Sequence, residues 1–265
     1  MSEIEDKWRA LLTGSGAPVA APVRAMTYLE TRHSASRPVK VSGSDGRLYF
    51  VKGGHAGRQL VNDQLVGRLG MALGSPNATV AHVEISSDLV DIETQLHNGF
   101  GNPGRFAPGV WHGSLVIDDV SNEREGFAHH GEPENRARFA RLAILYGWTH
   151  GSDHQFVYNN QPPRLVHSYD HGHFFPSGPE WNIGTLTGAG LAVPDVQIVT
   201  SCGLTPDEIR AASDNLAALD PDAVILAALG NVLDHWNVSL DEKIALAVFL
   251  ETRRRQLLDH IATLP

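Results

Sequence analysis

Strand signals crowd the front of this 265-residue chain and helix signals fill its back, and that division constrains the fold more than any other feature. Val23 to Glu30, Pro38 to Ser42 and Arg47 to Gly53 read as strands. Gly43-Ser44-Asp45-Gly46 between the last two is turn chemistry, because Gly and Asp accept positive φ, so it predicts an antiparallel hairpin. Leu60, Leu65, Leu69 and Leu73 mark a buried stripe on a helix from Arg58 to Leu73, which Gly74 stops. Ala78 to Ser86 alternates as a further strand. The front is therefore a small antiparallel sheet carrying one helix.

Behind it, Glu134 to Trp148 is helical, with Phe139, Leu142, Ala143 and Tyr146 on one face. Gln155 to Tyr158 and Arg164 to Tyr169 form a second hairpin, turned by Asn159 to Pro163. Pro206 to Leu219, Pro221 to Leu229 and Ser239 to Ile261 are helices. The last opens on a capping box, Ser239 with Glu242. Ahead of the sheet, Glu3 to Leu12 is a short helix and Gly14 to Pro22 a linker. Leu96 to Gly113 is glycine-rich, and such loops can cradle phosphates through backbone amides. It lacks a following Lys-Ser/Thr, so it reads as a surface loop or connector. Trp111 to Asp118 is a short strand.

Composition narrows the function classes. The formal charge is −9, which argues against nonspecific nucleic-acid binding, since that needs a basic surface to displace counterions. One cysteine, Cys202, allows no intrachain disulfide and fits a reducing compartment. Its neighbours suggest a loop before a helix and a structural role. No basic-then-apolar leader is visible at the N-terminus, and no apolar run is long enough to span a bilayer. A cytoplasmic protein without membrane partners is expected.

Three charged positions carry chemistry. Lys52 closes the apolar strand Leu48-Tyr49-Phe50-Val51, and the helix after it offers Asp63 as an ion-pair partner. Asp153 follows the strong helix, where a carboxylate can take the proton of an incoming hydroxyl. Gln155 has an amide oxygen suited to a hard cation. Asp170 ends the second hairpin strand, two positions before Gly172. Antiparallel pairing would put Gln155 and Asp170 at the same end of that hairpin. Two acids and a lysine in this order can hold a metal-bound nucleoside triphosphate. His150, His154, His167, His171 and His173 surround the same acids, so a His/Asp metal-dependent hydrolase is the competing class. No helical His-Glu-x-x-His supports it, and the plainer reading has the histidines orienting the acids or covering a cleft.

Val51-Lys52, then Asn62-Asp63 on a helix ending Leu73-Gly74-Ser75-Pro76, resembles the front lobe of the HipA-like kinases. Gly147-Trp148 through Asp153-His154, and Tyr169-Asp170-His171-Gly172-His173-Phe174, are similar to that family's catalytic segment and its metal-binding Asp-His-Gly. Trp236 and Leu250 to Arg254 look like its closing helix. The resemblance spans roughly residues 22 to 260. It implies an α+β, two-lobed protein-kinase-like fold: residues 1–21 an N-terminal helix and linker, 22–118 the front lobe, 119–265 the mostly helical rear lobe. It implies ATP and Mg²⁺ as cofactors and transfer of the γ-phosphate to a Ser/Thr or small-molecule hydroxyl. Lys52 would contact the α- and β-phosphates, Asp153 would be the base and Asp170 the main metal ligand. Ser34 and Ser36 would fall in the phosphate-covering loop. The sequence departs from the family twice. Asp63 stands where Glu is usual, one methylene shorter. The second metal-binding Asn expected about five residues after Asp153 is missing, and Gln155 is the candidate to replace it. These departures leave a nucleotide-binding pseudokinase or regulatory module as a second reading.

Overall fold

In the computed structural model, residues 2–14, 19–101, 104–121 and 126–265 are described. Positions 15–18 of the expected linker and 102–103 of the glycine-rich stretch lie outside them. The elements run α1 (Glu3–Thr13), β1 (Val23–Thr31), β2 (Val39–Gly43), β3 (Leu48–Lys52), α2 (Arg58–Leu73), β4 (Val80–Ile85), α3 (Ser87–Ile92) and β5 (Gly109–Leu115). They continue with α4 (Pro133–Thr149), β6 (Phe156–Tyr158), β7 (Val166–Ser168), α5 (Ile183–Thr187), α6 (Val196–Cys202), α7 (Pro206–Ala218), α8 (Pro221–Gly230) and α9 (Leu240–Ala262).

The front strands do not stay an open antiparallel sheet. They close into a barrel in the order β1-β2-β3-β5-β4. The closing seam is parallel, Val23 opposite Val83 and Arg24 opposite Glu84. Irregular register between Ala25 and Thr27, and again between Tyr28 and Glu30, bends the long β1 so that its start can reach β4. Alternation then sorts the side chains. Val39, Val41, Tyr49 and Val51 point into the barrel, while Leu48, Phe50 and Lys52 line a cavity outside it.

Helix α2 lies unusually close to this barrel. A Cβ on Gly67 would sit 2.3 Å from the Val80 side chain, and one on Gly70 would sit 2.2 Å from Asn77. Only glycine permits that approach. The helix ends at Gly74 in the left-handed conformation, with its N–H bonded back to Gly70 and Met71.

The rear is organised around α4, buried on nearly every face from Phe139 to Thr149. Arg253 on α9 is buried against its end. The guanidinium donates to the carbonyls of Gly147 (2.6 Å), Trp148 (3.0 Å) and Gly190 (3.0 Å), satisfying orphan carbonyls where the helix dipole favours a cation. Helix α1 docks on α9 through buried Trp8, whose Nε1 donates to Glu251 (2.6 Å). Cys202 is the last residue of α6 rather than part of a loop, and it is buried. Among the described residues no helix is long and apolar enough to cross a membrane.

Candidate active site

The barrel delivers Lys52, α2 delivers Asp63, and the segment after β7 delivers Asp170. They meet at one point. Lys52 Nζ lies 2.7 Å from Asp63 Oδ2 and 2.6 Å from Asp170 Oδ1. Asp63 reaches the lysine although it is one methylene shorter than Glu, from a helix whose Gly67 lies against Val80 of β4. Burial works against the Lys52 ammonium, but the two carboxylates outweigh it and hold its pKa above the ordinary lysine value. The group stays charged at neutral pH.

These three side chains line a cavity of about 960 Å³, a size that accommodates a nucleotide-sized ligand. Phe50, His112 and the strip from Ser114 to Ser121 line it as well, and so does Ser34. Ser36 does not. Its carbonyl instead accepts from His55 Nε2 (2.9 Å). The loop between β1 and β2 is steadied further by the Arg37 guanidinium, which lies 5.2 Å from the Phe100 ring. Gly99 makes room for that arginine: its φ is +85°, and a Cβ there would sit 2.6 Å from the guanidinium. The described part of the glycine-rich stretch is thus a connector, and its Gly99 and Phe100 brace the 32–38 loop.

Asp170 has φ +55°, a left-handed conformation that non-glycine residues adopt sparingly and that concentrates at functional sites. Its side chain is about a quarter exposed, toward the cavity. Asp153 and Gln155 are not among the cavity-lining residues. They lie beside it, since the Tyr169 N–H donates to the Gln155 carbonyl (3.3 Å). Gln155 Nε2 donates to Asp153 Oδ2, and Gln155 Oε1 is buried with no hydrogen-bond partner. A buried amide oxygen without a partner, on a residue whose other amide atom holds the Asp153 carboxylate, has the chemistry of a ligand for a hard cation.

The histidines do not assemble a metal site. Among the described residues no group of three His, Cys, Asp or Glu is placed to hold an ion. His154 Nε2 lies 3.0 Å from Asp195 Oδ1, and His167 Nε2 lies 3.1 Å from Asn159 Oδ1. His171 Nε2 contacts Ser168 Oγ (2.9 Å), which in turn contacts the Tyr146 hydroxyl (2.8 Å). Burial pushes the His171 pKa down to about 4, with the Lys52 charge adding to the effect, so the ring is neutral. These histidines brace the segments that carry the acids.

Sequence reading missed His112. It sits on β5 directly across from Lys52, and burial and the Lys52 charge hold it neutral. With the Gln64 amide oriented to suit both neighbours, Arg68 donates to Gln64 and Gln64 donates to His112 Nδ1 (2.8 Å). The signal was weak: only the β3–β5 register, a long-range pairing, puts His112 beside Lys52.

Residues 28–117 match the sequence model of the HipA-like kinase family. The HipA-like resemblance therefore holds over the barrel and α2, the part of the chain that carries Lys52 and Asp63. No curated protein sequence matches the chain. Among solved structures, the Helicobacter pylori proinflammatory kinase CtkA is similar over 92% of this chain and 97% of its own, at 9% identity and TM-score 0.51. The Golgi casein kinase solved with Mn and ADP bound covers 97% of this chain and 75% of its own, at 10% identity and TM-score 0.48. HipA of Shewanella oneidensis MR-1, solved with HipB and operator DNA, covers 100% and 74%, at 11% identity and TM-score 0.46. The likeness to CtkA shows an α+β fold of the kinase type.

Proposed function

We propose that this protein is an ATP-dependent phosphotransferase of the HipA-like kind, acting on a Ser/Thr or small-molecule hydroxyl. The observation that carries the reading is the junction of Lys52 with Asp63 and Asp170 on the wall of a nucleotide-sized cavity. On this reading residues 22–118 and 119–265 are two lobes meeting at that cavity, preceded by the helix and linker of residues 1–21.

The Lys52 ammonium, held by Asp63, is aimed where phosphate oxygens of the nucleotide would lie. Ser34, on the cavity wall, stands at the loop covering them. Asp170 and the unpartnered Gln155 Oε1 are the side chains that would hold Mg²⁺. Bound there with the nucleotide, the ion would neutralise charge developing on the transferred phosphoryl group. Asp153 stands outside the cavity lining, where it would serve the acceptor rather than the nucleotide once the Gln155 amide turns to the ion. Its carboxylate would take the hydroxyl proton as the acceptor attacks. Catalysis in such a site is mainly positioning and charge stabilisation.

The test is a thermal-shift series with ATP, with and without Mg²⁺, on the protein and its Asp170→Asn variant. The protein should be stabilised by ATP with Mg²⁺, and the variant should lose the part of the shift that needs the metal. An unliganded melting curve unmoved by any nucleotide would end the proposal. A second reading, a nucleotide-binding regulatory module without transfer, draws on the Gln155 amide occupying the Asp153 carboxylate. It predicts the same shift with no phosphorylated product.

A further inference from the structure

Asn62 is wholly buried on α2, and both ends of its amide are engaged. Nδ2 donates to the carbonyls of Gly172 (2.8 Å) and Phe174 (3.0 Å), and Oδ1 accepts from Trp181 Nε1 (2.8 Å). The two carbonyls belong to the segment that starts at Asp170. Trp181 is itself fixed by Arg58, whose guanidinium lies 4.0 Å over the indole and also pairs with Glu242 at the start of α9.

The Asp170 segment is thus gripped twice from one helix. Asp63 holds it indirectly, through Lys52. Asn62 holds it directly, by neutral hydrogen bonds. The two grips differ once a cation arrives. A metal ion held by Asp170 would compete with Lys52 for that carboxylate and repel the ammonium, weakening the ionic grip when the loop must be most exact. The Asn62 bonds carry no net charge and do not respond. The backbone needs such support, because the left-handed φ of Asp170 persists only where its surroundings over-determine it. The fit at Gly172 is tight too, where a Cβ would lie 3.0 Å from Gln59 Cβ on the same helix.

We propose that Asn62 is a positioning residue for the cation-binding segment: it keeps residues 170–174 in the shape that presents Asp170 to the cavity, independently of the Lys52–Asp170 ion pair. The proposal rests on the phosphotransferase reading. It also implies that α2 and the Asp170 segment move as one body, since Asn62 and Asp63 are neighbours on the helix.

The test measures ATP binding by calorimetry on the full chain across a Mg²⁺ series and in EDTA. Asn62→Leu keeps the shape of the side chain and removes its donors. Trp181→Phe removes the bond that orients the amide and keeps an aromatic ring under Arg58. The Mg²⁺ concentration giving half-maximal binding should rise roughly tenfold in Asn62→Leu, and about two- to threefold in Trp181→Phe, as expected for losing buried hydrogen bonds. Affinity for ATP in EDTA should stay within about twofold of the unmodified protein, which a merely structural role would not predict. A folded Asn62→Leu protein with unchanged Mg²⁺ dependence, or with equal losses in Mg²⁺ and EDTA, overturns the proposal. Should Asn62→Leu not fold, unchanged Mg²⁺ dependence in Trp181→Phe does the same. Failure of the unmodified protein to bind ATP at all is a different result, which removes the phosphotransferase reading and this inference with it.

Discussion

Lys52 and Asp170 stand 118 positions apart in the sequence, and their Nζ and Oδ1 atoms are 2.6 Å apart. With Asp63 on the other side, the lysine stands between two carboxylates, and its single positive charge offsets one of their two negative charges. Lys52→Met should therefore do more than abolish nucleotide binding. It should destabilise the unliganded protein by about 3–5 kcal/mol at neutral pH, the range for breaking a buried ion pair from one side. Urea unfolding of both proteins at neutral pH checks this, and a variant as stable as the unmodified protein would count against it.

Asp153 tests the chemical step by itself. Its carboxylate lies outside the cavity lining, so Asp153→Asn should leave ATP binding near that of the unmodified protein. Phosphate transfer should fall by roughly 10²- to 10⁴-fold, the usual contribution of a general base. Mass spectrometry for phosphorylated protein, beside an ATP-hydrolysis assay, gives the comparison. Undiminished transfer by the variant would remove Asp153 from the role. No transfer by either protein would favour the regulatory reading.

The acid limb of stability should run through Glu208. Its hydrogen bonds to Arg136, one of them at 2.7 Å, hold its pKa down at about 2. A depressed carboxylate stabilises the fold above its unfolded value, near 4.5, and that contribution disappears as pH falls from there toward 2. Glu208→Gln should accordingly cost about 1 kcal/mol at neutral pH, discounted for partial exposure, and almost nothing at the acid end. Chemical denaturation across that window measures the convergence. Parallel curves would show that the pair is energetically silent.

Local pattern made most elements legible. The hairpin at Gly43 to Gly46, the leucine stripe of α2, the Asn159 to Pro163 turn and the Ser239 capping box are all short-range signals, and each appears where the sequence places it. The barrel was not legible, because its closure depends on β1 pairing with β4 across some sixty residues and on irregularities that no residue type announces. The expected loop at Cys202 is absent for a simpler reason: Thr200, Ser201 and Cys202 form the last turn of α6, which Gly203 ends in the left-handed conformation. At the site, the Lys52–Asp63–Asp170 meeting follows from strand, helix and hairpin order. The offset of Asp153 and Gln155 from the cavity does not, since it is set by how α4 and β6 pack.

Gly67 should determine whether Asp63 can reach Lys52. A Cβ at this position would fall 2.3 Å from Val80 Cγ1, and the strand behind cannot retreat without opening the barrel seam. Gly67→Ala should therefore displace α2 outward and separate Asp63 from Lys52. Overpacking of this kind destabilises by about 1–3 kcal/mol, against a gain of roughly 1 kcal/mol from the better helix former. Stability should fall by about 0–2 kcal/mol net, while ATP affinity should fall several-fold because the lysine loses its partner. Val80→Ala removes the clashing methyls and should restore binding when combined with Gly67→Ala. A double-mutant cycle on ATP affinity reads the coupling directly. If the two changes prove additive, with binding no better in the pair than in Gly67→Ala alone, then close packing of α2 is not what lets Asp63 reach Lys52.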